Sequence, residues 1–126
     1  MCEGFSISRD CRLRKESVQL MRDLLDCLKS HSGNRPDDPA LQAFTRLLSN
    51  IAAGFAQMSA EDFIQFLYFA KGSCAEIQHR LDWARTQNFI TPSEKKEFHR
   101  RLRKISAMLY VLITSQPSEN RLELGG

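Results

Sequence analysis

The sequence predicts an all-α protein folded as an antiparallel, up-and-down four-helix bundle. Three observations carry that reading. Apolar residues recur at steps of three and four along four separate stretches, and no stretch alternates strictly over a strand's length. Proline stands at the edges of those stretches rather than inside them. The second and third breaks are short, so the helices they join are forced to lie side by side and antiparallel.

The first helix is expected over about residues 10–31, where Leu13, Leu20, Leu24 and Leu28 form one stripe, widened by Val18, Met21 and Leu25. Gly33 and Pro36 stop it, the one by taking a left-handed C-terminal position and the other by blocking continuation. The second is expected over 38–55, with Pro39 in its first turn and Leu41, Phe44, Leu48, Ile51 and Phe55 on one face. The third, over 60–88, is the longest, about 43 Å at 1.5 Å per residue. Phe63, Leu67, Ala70, Cys74, Ile77, Leu81 and Ala84 form a heptad seam along it, and Phe66, Phe69 and Ser73 form a second row beside that seam. The fourth is expected over 92–115. Thr91 caps it, Pro92 opens it, Glu94 completes the capping box, and Phe98, Leu102, Ile105, Leu109 and Leu112 make its core stripe. The bundle is thus expected within residues 1–116, with 117–126 as a flexible C-terminal tail.

Bulk properties fit one small soluble domain. The chain has 126 residues, 42% of them hydrophobic, with a formal net charge of +3, and its mean hydropathy is −0.38. No run is apolar enough for a membrane span, and the N-terminus "MCEGFSISRDCRLRK" lacks a secretory core, so a cytoplasmic location is expected. Cys2, Cys11, Cys27 and Cys74 form no C-x-x-C and stand beside no histidine at zinc spacing. They read as reduced thiols. His31, His79 and His99 are scattered, and no Glu-x-x-His pattern recurs on two helices as a di-iron bundle requires. No metal and no cofactor are expected.

The stretch "SNIAAGFAQMSAEDFIQFLYFAKGSCAEI", residues 49–77, holds the second corner. Gly54 lets one helix end and Ser59 caps the next, with Asp62 three residues on. The stretch resembles the signature of the four-helix-bundle proteins encoded in 23S rRNA intervening sequences, which runs Ser-x-x-Asn-Ile-Ala-Glu-Gly, a Ser cap, an acidic-Phe pair, then Ala-x-Gly-Ser and a Glu. Asn50, Ile51, Ala52, Gly54, Ser59, Phe63, Phe66, Leu67, Ala70, Gly72, Ser73 and Glu76 match it. Ala53 departs from the family's Glu, and the first helix lacks the family's Trp-containing opening. The resemblance covers roughly residues 41–113. It implies a ring-shaped homopentamer with no enzymatic activity. It also points to the related accessory protein of diversity-generating retroelements, a basic pentameric bundle that partners a reverse transcriptase and binds nucleic acid.

Among the residues themselves, the run "EKKEFHRRLRK" supplies the candidate binding site: Lys95, Lys96, Arg100, Arg101, Arg103 and Lys104, opposed locally by Glu94 and Glu97. Cations at i, i+3 and i+4 repel one another, so gathering them suits an anionic partner such as RNA or DNA. The plainer reading is a solvated helix face. If the cluster binds polyanions, reversing Arg100, Arg101 and Arg103 to Glu is expected to abolish binding. Gly72 and Ser73 read as a point of close helix approach rather than a phosphate loop, since no strand accompanies them. Asn50 and Glu76 read as a polar pair that fixes register or caps the break at Gly54. Phe69 and Trp83 exceed what one core stripe needs and are the candidate interface between copies. The expected function is therefore a non-enzymatic, self-associating bundle that binds nucleic acid. The alternatives are a pure protein-interaction scaffold and an enzyme with an unrecognised site.

Overall fold

In the computed structural model, which describes residues 7–32 and 38–116, four helices surround one apolar core and no strand occurs among the described residues. They are α1 (Ile7–Ser32), α2 (Asp38–Phe55), α3 (Ala60–Thr86) and α4 (Pro92–Thr114). The expected stop at Gly33–Pro36 and the expected tail at 117–126 lie outside the described residues.

Each helix packs against two others: α1 and α3 both touch α2 and α4. The direction of each pair follows from its contacts. Asp82 meets Lys95 and Lys71 meets Ser106, so α3 and α4 run antiparallel. Asp23 meets Arg101 and Glu16 meets Lys104, so α1 and α4 do too. Arg46 meets Glu76, and Gly54 faces Phe66 and Leu67, so α2 opposes α3. The chain therefore goes up and down around the core.

The stripes expected on α1 and α4 are buried as read, with Ser17 filling the gap on α1 by donating its hydroxyl to Leu13 O at 2.9 Å. On α3, Leu67, Ala70, Cys74, Ile77, Leu81 and Ala84 are buried, and Ile64 rather than Phe63 completes the seam. The α2 face differs from expectation. Its core residues are Ala40, Ala43, Phe44, Leu47 and Ile51, while Leu41 is 39% exposed and Leu48 is half-buried. The helix is turned by about one position, because the small side chains at 40 and 43 let α2 lie close to its neighbours, and a stripe read from large residues alone misses that.

Both corners are clasped by aromatic pairs. Phe55 and Phe63 meet edge to face at 5.2 Å across the short link from α2 to α3. Ser59 caps α3 by accepting from Asp62 N at 3.2 Å. At the other corner, α3 ends earlier than the expected residue 88, because Asn88 adopts φ 62. Asn88 N–H donates to Arg85 O and Phe89 N–H to Ala84 O, the paired bonds of a Schellman ending, with asparagine in the left-handed place usually held by glycine.

Candidate nucleic-acid interface

The site candidate is the N-terminal half of α4. Its start is built locally: Thr91 Oγ1 accepts from Glu94 N at 3.0 Å, and Glu94 Oε1 accepts from Thr91 N at 2.8 Å, closing a capping box. From there Phe98, Leu102 and Ile105 turn inward, which throws the cations outward and sideways.

The structure divides the six expected cations. Lys95, Arg101 and Lys104 lie on the flanks and bind carboxylates of other helices: Lys95 to Asp82 at 3.1 Å, Arg101 to Asp23 at 2.9 Å, and Lys104 to Glu16 at 3.3 Å. Arg101 is the most enclosed of these, with its side chain 19% exposed. These three tie α4 to α3 and α1. Lys96, Arg100 and Arg103 form the exposed outer row. Arg100 shares Glu97 of its own helix, at 2.7 and 2.9 Å. That contact holds the Glu97 carboxyl below the usual carboxylate range, with Arg100 and Arg101 adding their charges. Two shallow, open depressions border the row, one lined by Ser93, Lys96, Glu97, Arg100 and Arg103, the other by Pro92, Lys95, Lys96, His99 and Arg103. Every lining residue belongs to α4 or its first turn, so the face is a ridge, not a pocket. Such a ridge can neutralise extended anions and offers no enclosed chamber for chemistry.

The remaining expected residues separate. Glu76 does not pair with Asn50. It accepts a two-pronged bond from Arg46, whose Nε lies 3.2 Å from Oε1, and this holds its carboxyl below the ordinary range, with Arg80 helping. The polar tie between α2 and α3 is thus ionic. Gly54 is the close approach: a Cβ there would meet Leu67 Cδ2 at 3.3 Å and Phe66 Cβ at 3.4 Å. Gly72 is not, since among the described residues nothing lies within 4 Å of a Cβ at that position. Ser73 is buried and donates to Phe69 O at 3.3 Å. Trp83 packs edge to face on Phe89 at 5.5 Å, which is the apolar contact of the Schellman corner. Phe69 leans on Phe66 at 6.0 Å and stays 49% exposed.

Sequence reading missed two features. Tyr110 and Val111 are exposed on α4, with Lys71 Nζ lying 5.7 Å from the Tyr110 ring centre. Asn88 gives a signal only in hindsight, as an asparagine four residues past the last buried position of α3. The described thiols are poor nucleophiles: burial and the Glu94 carboxylate push Cys27 up to about 11, and burial pushes Cys74 up to about 12. Among the described residues, no group of three His, Cys, Asp or Glu is placed to hold a metal ion, and no helix is long and apolar enough to cross a membrane.

The model of one protein family, the 23S rRNA-intervening sequence protein family, matches residues 9–111. A crystal structure of a protein of unknown function from the S23 ribosomal protein family of Bacteroides thetaiotaomicron superimposes with a TM-score of 0.74 at 18% identity, covering 84% of this chain and 98% of that one. At that identity the likeness concerns the fold. No curated protein matches the chain.

Proposed function

The chain belongs to the 23S rRNA-intervening sequence protein family, and from that premise we propose a non-enzymatic helical bundle that self-associates and binds nucleic acid through the outer face of α4. One observation carries the binding: Lys96, Arg100 and Arg103 stand exposed in one row, opposed most directly by Glu97, with Glu16 of α1 also acting on Arg100. A phosphate backbone gains from several such cations at once. In this reading the assembly is a ring-shaped homopentamer in the cytoplasm, which repeats the row on each copy and adds weak contacts by multivalency. RNA, DNA or a reverse transcriptase are the partners the family resemblance implies.

Reversing Arg101 would set a glutamate against Asp23 and test stability instead of binding. The variant to make is Lys96→Glu, Arg100→Glu, Arg103→Glu. It is expected to abolish gel retardation of RNA and DNA at low salt while leaving helicity, by circular dichroism, unchanged. Unmodified protein that shows no salt-sensitive retardation of either polymer would refute the binding.

A second reading, the protein-interaction scaffold, draws on the outer face of α3. Tyr68, Phe69, Gly72 and Ala75 are all exposed there, and among the described residues nothing lies against the glycine's open side. Capture of a protein partner that survives nuclease treatment, with no nucleic acid bound, would favour it.

A further inference from the structure

Resting on the nucleic-acid reading above, we propose that the row Lys96, Arg100, Arg103 follows the phosphodiester backbone of double-helical nucleic acid without reading bases, and that Glu97 is a built-in competitor for that backbone. The cations of α4 differ in what already holds them. Lys95, Arg101 and Lys104 are each neutralised by a carboxylate from another helix, and moving them away would break ties that hold α4 to α1 and α3. The outer row carries no such duty. Steps of four and three residues at 1.5 Å each spread it over about 10 Å of helix. That length spans about four successive phosphates on one strand, whose charges rise ~3.4 Å apart along the axis.

The surroundings decide between duplex and single strand. Proteins that hold unpaired strands pair a cationic track with aromatic rings on which bases stack. Among the described residues the exposed aromatic rings are Tyr68, Phe69, Trp83 and Tyr110. None lies on the first three turns of α4, where Phe98 is turned into the core and the half-buried imidazole of His99, smaller than these rings, is the ring beside the row. The depressions beside the row are lined by α4 and its first turn alone, so among the described residues no second element supplies a slot for a flipped or splayed base. Without stacking or base edges, the row responds to charge density, which is higher on a duplex than on a single strand.

Glu97 lies within this row and accepts both bonds from Arg100. The carboxylate occupies the Nε–Nη2 edge of Arg100, so phosphate can take only the remaining Nη side unless it displaces Glu97, and in either case it approaches a negative charge. Glu97→Gln removes both obstacles, so this loss of a side-chain charge is expected to strengthen binding.

The test is fluorescence anisotropy of full-length protein on a short labelled duplex, on the same strand unpaired, and on a duplex of scrambled sequence, each over a KCl series. The duplexes are expected to bind equally well and more tightly than the single strand. Lys96→Gln with Arg103→Gln is expected to flatten the log–log salt slope by about 2 per engaged chain, and Glu97→Gln to raise low-salt affinity about threefold, the size of one exposed charge–charge contact. Swapping the α2–α3 pair instead, Arg46→Glu with Glu76→Arg, keeps the net charge, acts away from the row and is expected to leave binding unchanged. Tighter binding to the single strand, a preference between the duplexes, or an unaltered slope in the Lys96, Arg103 variant overturns this inference while leaving nucleic-acid binding standing. Absence of salt-sensitive binding to any of the three probes removes both.

Discussion

Gly54 and Gly72 carry the same side chain of one hydrogen, yet their surroundings assign them opposite roles. At Gly54 an added Cβ would press on Leu67, which is fully buried, and on the Cβ of Phe66, which is fixed to its own backbone. Neither can give way cheaply. At Gly72 the same methyl would enter open space. Alanine is worth up to about 1 kcal/mol over glycine in a helix interior. Gly72→Ala is therefore expected to stabilise the monomer fold by about 0.5–1 kcal/mol, and Gly54→Ala to destabilise it by about 1 kcal/mol, because overpacking outweighs propensity there. Urea midpoints check both signs. Two shifts of the same sign would show that packing at Gly54 is looser than its distances indicate.

At the scale of elements, the helix pairs are pinned by contacts that hydrophobic periodicity does not contain. Arg46 and Glu76 join α2 to α3, and the bond holds the Glu76 carboxyl below its ordinary value. A lowered carboxyl contributes stability that is present above the ordinary value of about 4.3 and is lost as pH falls through the lowered one. Both side chains are partly exposed, 49% and 35%, so solvent screens the pair and its contribution is small. Glu76→Gln is thus expected to lower the urea midpoint slightly at neutral pH and to have no effect once the medium is acid enough to protonate Glu76 in the wild type. An equal deficit at both pH values would mean that the carboxylate's charge is not what ties the helices. The end of α3 obeys the same logic: a left-handed Asn88 and the Trp83–Phe89 contact turn the chain sharply enough to bring α4 back antiparallel.

For the whole molecule, the open question is what covers the outer side of α3. Phe69 and Tyr68 are exposed beside an uncovered Gly72, and mid-helix glycine costs stability unless something uses the space. A second copy of the chain is the occupant taken in the proposed assembly. Phe69→Ser is then expected to lower the solution mass measured by light scattering while helicity is kept. Wild-type protein that scatters as a single 14.5 kDa chain would remove self-association. Trp83 is a poorer probe than its sequence position suggests, because it is already spent on the corner with Phe89.

The order of four helices and most of their buried stripes could be read from the sequence, because period, caps and breakers are local and each acts within a few residues. So could the presence of a cation-rich stretch on the fourth helix. The turn of α2 that buries Ala40 and Ala43 in place of Leu41 and Leu48 could not, since it depends on how closely neighbouring helices approach. Nor could the sorting of six cations into three structural ties and one exposed row. That sorting is made by Glu16, Asp23 and Asp82, which are distant in sequence and reach α4 only once the bundle has closed. Sequence shows which charges are near each other along the chain, and only the packed structure shows which of them are already neutralised.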